Sequence, residues 1–452
     1  MHILKGYTKQ EISWMMYDWA NSAHSVIIVT LLPIFFDTVA GYTADSVSSM
    51  STWGYATSIA MLIVALAAPF LGVFGDIRGM RKKLFSFFML LGVAACAGMA
   101  FTPVMDFTSG PVAAGKVASL ILVLYIVSVI GFDASAIYYD AFLTDVTTED
   151  RMDKVSTMGY GLGYIGGSTI PLLIFLIMNL VGVPMLTCLA FVFGLTAVWW
   201  LAFSLPLLKN CEQTSGKPYK KGDVARSIKG VGTTIKEIIA NKPMLIYILS
   251  YFFYIDGVHT VISMATTYGT NLGLDSTGMM LALLLVQILG LPFCLLYIKC
   301  SEKFGARTMV GFGICVYMFI CIFAFFMNSL WQFWVLAVLC ATSQGGIQAL
   351  SRSMYGKLIP DKDRSGEFFG FFDIFGKFSS IMGPALVGVV SSVVANGMLG
   401  VQGLTAQTAT AEQIDAINAQ SSHYGILSII IIIIVGAVLY FGFLPKAEHA
   451  KQ

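Results

Sequence analysis

Charge is what this chain has least of. Its 452 residues carry 27 basic and 25 acidic side chains, 12% in all, where a soluble domain averages about 25%. With 57% hydrophobic residues and a mean hydropathy of +0.79, it lacks the polar surface to wrap a water-soluble body. That shortage excludes soluble enzymes, nucleic-acid binders and disordered scaffolds. Metal-type cysteine spacing is missing too. None of the eight Cys forms a C-x-x-C pair, and the nearest pairs, Cys294 with Cys300 and Cys315 with Cys321, are six apart. No disulfide, metal centre or cofactor is expected. Neither a nucleophile elbow nor a His/Asp or Cys/His pair at catalytic spacing occurs, so an enzyme is not expected. No cleavable leader is expected. The first thirteen residues are polar or mixed, and the first apolar stretch is too long, with no small-residue cleavage site.

Long apolar runs are what the chain does have. A spanning helix needs about 20 mostly apolar residues, and twelve segments qualify: 12–38, 50–74, 83–103, 116–144, 156–180, 184–206, 244–270, 277–298, 306–327, 331–357, 367–394 and 422–444. Residues 207–243 form a polar connector. Residues 395–421 read as a Gly/Ala/Gln-rich loop, in which Thr410 and Gln413 suit a capping box. The basic residues sort by the positive-inside rule. With the N-terminus inside, 26 of the 27 fall at or near the cytoplasmic side, and only Lys116 lies outside. The expected class is therefore an all-α membrane protein with both termini cytoplasmic. It divides into 1–206, the connector 207–243, and 244–452. The net charge of +2 hides this asymmetry. The connector, with eight basic and three acidic residues, is expected to form a surface helix around 224–240 that meets anionic lipid.

The two halves share a weak repeat. Asp76, Gly79 and Arg81 follow the second segment, and Glu302, Gly305 and Arg307 follow the eighth at the same offsets. Six plus six helices with a repeated acid–Gly–basic loop is the pattern of transporters built from internal repeats.

The string from Gly72 through Asp76 and Gly79 to Lys82 resembles the loop signature of the major facilitator superfamily, with Met80 in place of one basic residue. Three further strings narrow the likeness: Tyr17-Asp18-Trp19-Ala20-Asn21-Ser22, Tyr139-Asp140 through Asp145 and Arg151 to Gly166-Gly167, and Gln344-Gly345-Gly346 through Gln348 to Ser351-Arg352-Ser353. Together they resemble the vacuole-effluxer-like branch, named for a fungal autophagy-related vacuolar amino-acid exporter. His24, Asp140 and Thr144 depart from that pattern, which expects an aromatic, Asn and Pro there. The resemblance implies a major facilitator fold and a cytoplasmic latch of Gly72, Asp76, Gly79, Arg81 and Lys82. Asp145, Arg151, Glu302, Arg307, Glu367, Asp373 and Lys377 read as further gate contacts, with Asp373 and Lys377 spaced to neutralise each other. It also implies that segments 1, 4, 7 and 10 line a central cavity.

The residues point to those same four segments. A charge at mid-bilayer is costly, so ionisable residues there are candidates for function. Asp18, Asn21, Ser22 and Ser25 share one face of segment 1. Asp133 and Asp140 stand two turns apart on segment 4. Asp256 and His259 are on segment 7, and Gln344, Gln348 and Arg352 on segment 10. The expected substrate contacts are Asp18, Asn21, Ser22, Ser25, Asp133, Asp140, Gln344, Gln348 and Arg352, with Arg352 suited to a carboxylate. For Arg352 the alternative is a residue snorkelling to the cytoplasmic end. The proton-coupling candidates are Asp18, His24, Asp256 and His259, each of which could equally be a satisfied structural group. The expected function is secondary transport of a small polar solute, amino acids first, coupled to a proton. The alternatives are a sodium-coupled sugar or drug carrier, or a non-transporting sensor on the same fold. The expected partners are the solute, the coupling ion and lipid, with no nucleic acid. A monomer in a bacterial plasma membrane is the expected setting.

Overall fold

The computed structural model describes residues 4–43, 49–218, 223–404 and 408–444. The described elements are helical: α1 (Lys9–Ala40), α2 (Ser49–Gly75), α3 (Arg81–Met99), α4 (Pro111–Val146), α5 (Met152–Gly163), α6 (Ile170–Leu180), α7 (Met185–Asn210), α8 (Asp223–Ala240), α9 (Lys242–Asn271), α10 (Ser276–Phe304), α11 (Ala306–Phe325), α12 (Leu330–Leu358), α13 (Ser365–Val401) and α14 (Ala411–Val438). A π turn over Tyr164–Thr169 joins α5 to α6, and a second, Leu439–Phe443, ends α14. Twelve helices among the described residues are long and apolar enough to cross a membrane. They fall on the twelve apolar segments. α8, short and mixed, sits where the surface helix was expected.

Capping chemistry sets several starts. Thr8 accepts from the Glu11 N–H at 3.2 Å while Glu11 accepts from the Thr8 N–H at 2.8 Å, a reciprocal box that opens α1. Thr410 and Gln413 make the same box at α14. One boundary needs correcting. Residues 395–421 are mostly helix, because α13 continues to Val401 and α14 already begins at Ala411. Small and amide side chains there lower hydropathy without breaking the helix. Instead Ser391, Asn396, Asn418 and Ser421 help line a groove of about 310 Å³.

The helices form two compact units. One comprises Met1–Thr234 and Ile359–Ile374, the other Ile235–Leu358 and Phe375–Gln452. In the first, small residues let helices close. A Cβ on Gly131 of α4 would sit 2.5 Å from the Gly92 nitrogen of α3. A Cβ on Gly166 would overlap the Trp19 ring. An aromatic core fills the space between α1, α4 and α7: Trp14 stacks on Tyr139 at 4.4 Å, and the Tyr17 hydroxyl meets Ser135 Oγ at 2.7 Å. In the second unit, Gly257 of α9 accepts Ile433 of α14, and Gly346 of α12 lies under Tyr297 of α10. The Tyr254 hydroxyl meets Ser351 Oγ at 2.7 Å, and Tyr247 donates to the Ser351 carbonyl at 2.8 Å.

Candidate functional site

The most densely bonded polar cluster lies in the first unit, where α2 turns into α3. Gly79 takes φ +80 in this turn, a conformation that favours glycine, and so brings Arg81 back beside Asp76. Arg81 is fully buried. One guanidinium nitrogen donates to Asp145 at 2.5 Å, to the Ala141 carbonyl at 3.1 Å and to Ser215 at 3.3 Å. The other donates to Asp76 and to Ser365 Oγ, both at 2.9 Å. Removing Arg81 would strip two buried carboxylates of their cation, and losing one partner of a buried charge pair costs about 3–5 kcal/mol.

Asp76 also reaches α13. Its two carboxylate oxygens accept from the Gly366 N–H at 2.7 Å and the Glu367 N–H at 2.8 Å. These N–H groups belong to the first turn of α13, where a helix has no acceptor of its own. A side chain from another helix pair thus caps α13 and adds negative charge at the positive end of its dipole. Two glycines permit the approach. A Cβ on Gly72 would overlap the Gly366 carbonyl oxygen, and one on Gly370 would lie 2.5 Å from the Ala68 carbonyl oxygen. Burial raises the Asp76 carboxyl to about 7, with Arg81 and the two N–H groups acting in the opposite direction.

The connector straps this cluster. Gln213 Oε1 accepts from the Gly79 N–H at 2.9 Å, and its amide donates to the Gly75 carbonyl at 2.9 Å. Thr214 and Ser215 both donate to Asp145 through backbone and hydroxyl, the Ser215 hydroxyl at 2.7 Å. Lys217 brackets Ile77 in a short parallel bridge, accepting from the Arg78 N–H and donating to the Asp76 carbonyl, both at 2.9 Å, and Gly216 donates to Asp363 at 2.8 Å. Nearby, Glu367 pairs with Arg364 at 3.0 Å, and both bond the Thr234 hydroxyl of α8.

Of the expected gate residues, Gly72, Asp76, Gly79, Arg81 and Asp145 come together here, with Glu367 joining through its backbone. Lys82 lies half-buried on the first turn of α3. Arg151 joins a different pair. It grips Glu11 through two nitrogens at 2.7 and 2.8 Å, and Thr147 donates to the same carboxylate at 2.7 Å. Glu302 is exposed, and Arg307 donates to the Leu444 carbonyl at 2.7 Å. Gly305 takes φ +82, matching Gly79. The two loops thus share a left-handed glycine, although Glu302 lies within α10 whereas Asp76 follows α2. Asp373 and Lys377 are half-buried on α13.

The expected pathway residues occupy several environments. On α1, Asp18 and Asn21 are buried, and Ser22 and Ser25 half-buried. This face meets α5: Asp18 lies over Gly159, and Ser22 Oγ lies 2.6 Å from where a Gly163 Cβ would stand. His24 points elsewhere, stacking on Phe132 at 4.7 Å with Nε2 3.1 Å from Ser128 Oγ. Asp133 is buried and Asp140 half-buried on α4. In the second unit, Gln348 donates to the Gln344 carbonyl at 3.2 Å and bonds His259, while Arg352 is buried. Gln344 borders an apolar cavity of about 100 Å³ that also holds Val286, Gln287 and Leu336. Asp256 is fully buried and accepts from the Gly383 N–H at 2.9 Å.

Sequence reasoning passed over Glu11, Gln213, Thr214, Ser215, Ser365 and Gly366. Only Glu11 carried a local signal, its capping-box spacing from Thr8.

Comparison with known proteins gives this geometry its context. The family model described as "Vacuole effluxer Atg22 like" matches residues 42–152 and 144–402. The chain belongs to that family. An uncharacterised MFS-type transporter, YxiO, of Bacillus subtilis (strain 168) is 40% identical over 452 residues, covering 98% of this chain and 96% of the relative. Autophagy-related protein 22-1 of Penicillium rubens is 25% identical over 263 residues, covering 53% of this chain and 44% of the fungal protein. Among solved structures, the proton:xylose symporter XylE superposes with a TM-score of 0.70 at 14% identity, covering 97% of this chain and 96% of that one. The transporter FucP in its outward conformation gives 0.63 at 12% identity, covering 95% and 98%. At these identities the likeness is one of fold. The chain is thus a multi-pass membrane transporter of the major facilitator type and not an enzyme.

Proposed function

We propose that the protein moves a small zwitterionic solute, amino acids first, by alternating access between two six-helix halves joined by the connector. Both termini face the cytoplasm, the membrane is the bacterial plasma membrane, and the driving ion is the proton. The capping of α13 by Asp76 is the observation that carries this reading. A latch made only of hydrogen bonds and one buried guanidinium holds firmly, yet breaks without covalent change, as a gate must. The polar residues of α1 with Gln344, Gln348 and Arg352 supply hydrogen-bond donors and acceptors for ammonium and carboxylate groups. Asp256 and His259 supply intramembrane groups able to carry a proton. The resemblance in the Tyr-Asp-Trp-Ala-Asn-Ser string supports amino acids over sugars.

Thermal stabilisation of purified protein across panels of amino acids and sugars tests the substrate class. Stabilisation by one or more neutral amino acids, weakened in Arg352→Gln, is expected. Stabilisation by sugars alone would overturn it.

A further inference from the structure

Where α9 crosses α13 in the second unit, a buried acid lies against a weak point of the facing helix. Asp256 is fully buried and makes no ion pair among the described residues. Its Oδ1 accepts from the Gly383 N–H at 2.9 Å and from the Thr260 hydroxyl at 3.4 Å, while its Oδ2 is buried without a hydrogen-bond partner. Residue 383 must be glycine, since a Cβ there would overlap Thr260 Oγ1. The next residue, Pro384, lies inside α13 and offers no N–H to the preceding turn. A carboxyl group is thus bonded to backbone at the point where α13 has lost one of its own hydrogen bonds.

We propose that Asp256, Thr260 and the Gly383–Pro384 turn form a proton-binding site whose occupancy sets the α9–α13 crossing. This rests on the proton-coupling reading above and adds where the proton sits and what it moves. When the proton binds, a hydronium ion gives up one O–H bond, that proton forms an O–H bond at Oδ2, water is left, and Oδ1 keeps both donors. When it leaves, a carboxylate with two donors and no cation remains in apolar surroundings. Such a group calls in water or gives up the close crossing. The facing groups fit this role. α14 presents Ile429 and Ile433 to the neighbouring Gly257. On α9 itself His259 stands one turn on, bonded to Gln348 of α12, and Lys377 of α13 acts electrostatically on that histidine. Arg352 of α12 is buried as well. In this proposal half-buried His259 and its partner Gln348 provide the acid's link to water.

Infrared difference spectroscopy of the full chain in lipid, between acidic and alkaline pH, reads the proton directly. A protonated-carboxyl C=O band that titrates in the wild type and is lost in Asp256→Asn is expected. Amide exchange of the peptide around Gly383 reads the crossing. Corrected for intrinsic rates, it should speed up at alkaline pH in the wild type and not in Asp256→Asn, whose amide oxygen still accepts from Gly383. A spectrum in which Asp256→Asn removes no titrating band would overturn the site. Equal exchange in both proteins at every pH would overturn its link to α13. Neither readout needs a transported solute. A titrating band with no solute movement would sink the transport reading and leave the site standing.

Discussion

Asp76→Ala isolates the capping of α13. The N–H groups of Gly366 and Glu367 lie in the first helical turn and find their acceptors in the Asp76 carboxylate. Their protection from exchange therefore depends on a residue some 290 positions away in sequence. Losing a cap costs about 0.5–2 kcal/mol, and leaving a buried donor unsatisfied costs about 1–3 kcal/mol. Arg81 keeps Asp145, so the guanidinium is not stranded. A combined loss of about 1.5–5 kcal/mol, at 1.36 kcal/mol per tenfold, means exchange faster by about 10- to 5000-fold. Hydrogen–deuterium exchange of a peptide covering 365–370 measures this without labels. The helix beyond its first turn should change far less. Unchanged exchange at Gly366 and Glu367 in a folded Asp76→Ala protein would refute the capping argument.

Further outcomes follow from the same cluster. Burial raises Asp76 to about 7 when docked, whereas a hydrated aspartate sits near about 3.9. Docking therefore takes up a proton, and the stabilisation from this group is full below the hydrated value and lost as pH rises through about 7. Exchange at Gly366 and Glu367, corrected for intrinsic rates, should accelerate above that pH in the wild type and not in Asp76→Ala. Gly72→Ala forces a methyl into the Gly366 carbonyl and should lower stability by about 1–3 kcal/mol, read as a lower Tm and faster exchange in 365–370. Gln213→Ala frees the Gly79 and Arg81 N–H groups and should speed proteolysis within 211–218. His24→Phe keeps the stack on Phe132 and should leave both Tm and the pH dependence of uptake nearly unchanged.

The helices were legible because each must hide its backbone from lipid with apolar side chains, a constraint local to about 20 residues. The loops holding Gly79 and Gly305 were legible from their repeated acid–Gly–basic offsets. The gate was legible only in outline. Asp76 and Arg81 are five apart, but the acceptors of Arg81 on α4, the connector and α13 are set by packing. Nothing in Gln213, Thr214 or Ser215 marks them as a strap, since polar residues in a connector are ordinary. Face assignment had the same limit. Helical spacing put Asp18, Asn21, Ser22 and Ser25 on one face, yet it did not show that Gly159 and Gly163 of α5 approach Asp18 and Ser22 there. The misread loop at 395–421 shows the converse: hydropathy marks where a helix meets lipid, not where it ends.

Uptake into proteoliposomes under an imposed pH gradient, with sodium absent, tests the central claim most directly. Uphill accumulation of a neutral amino acid, collapsed by a protonophore and lost in Asp256→Asn while solute exchange persists, is the predicted result. Accumulation that ignores the pH gradient and follows a sodium gradient instead would contradict it.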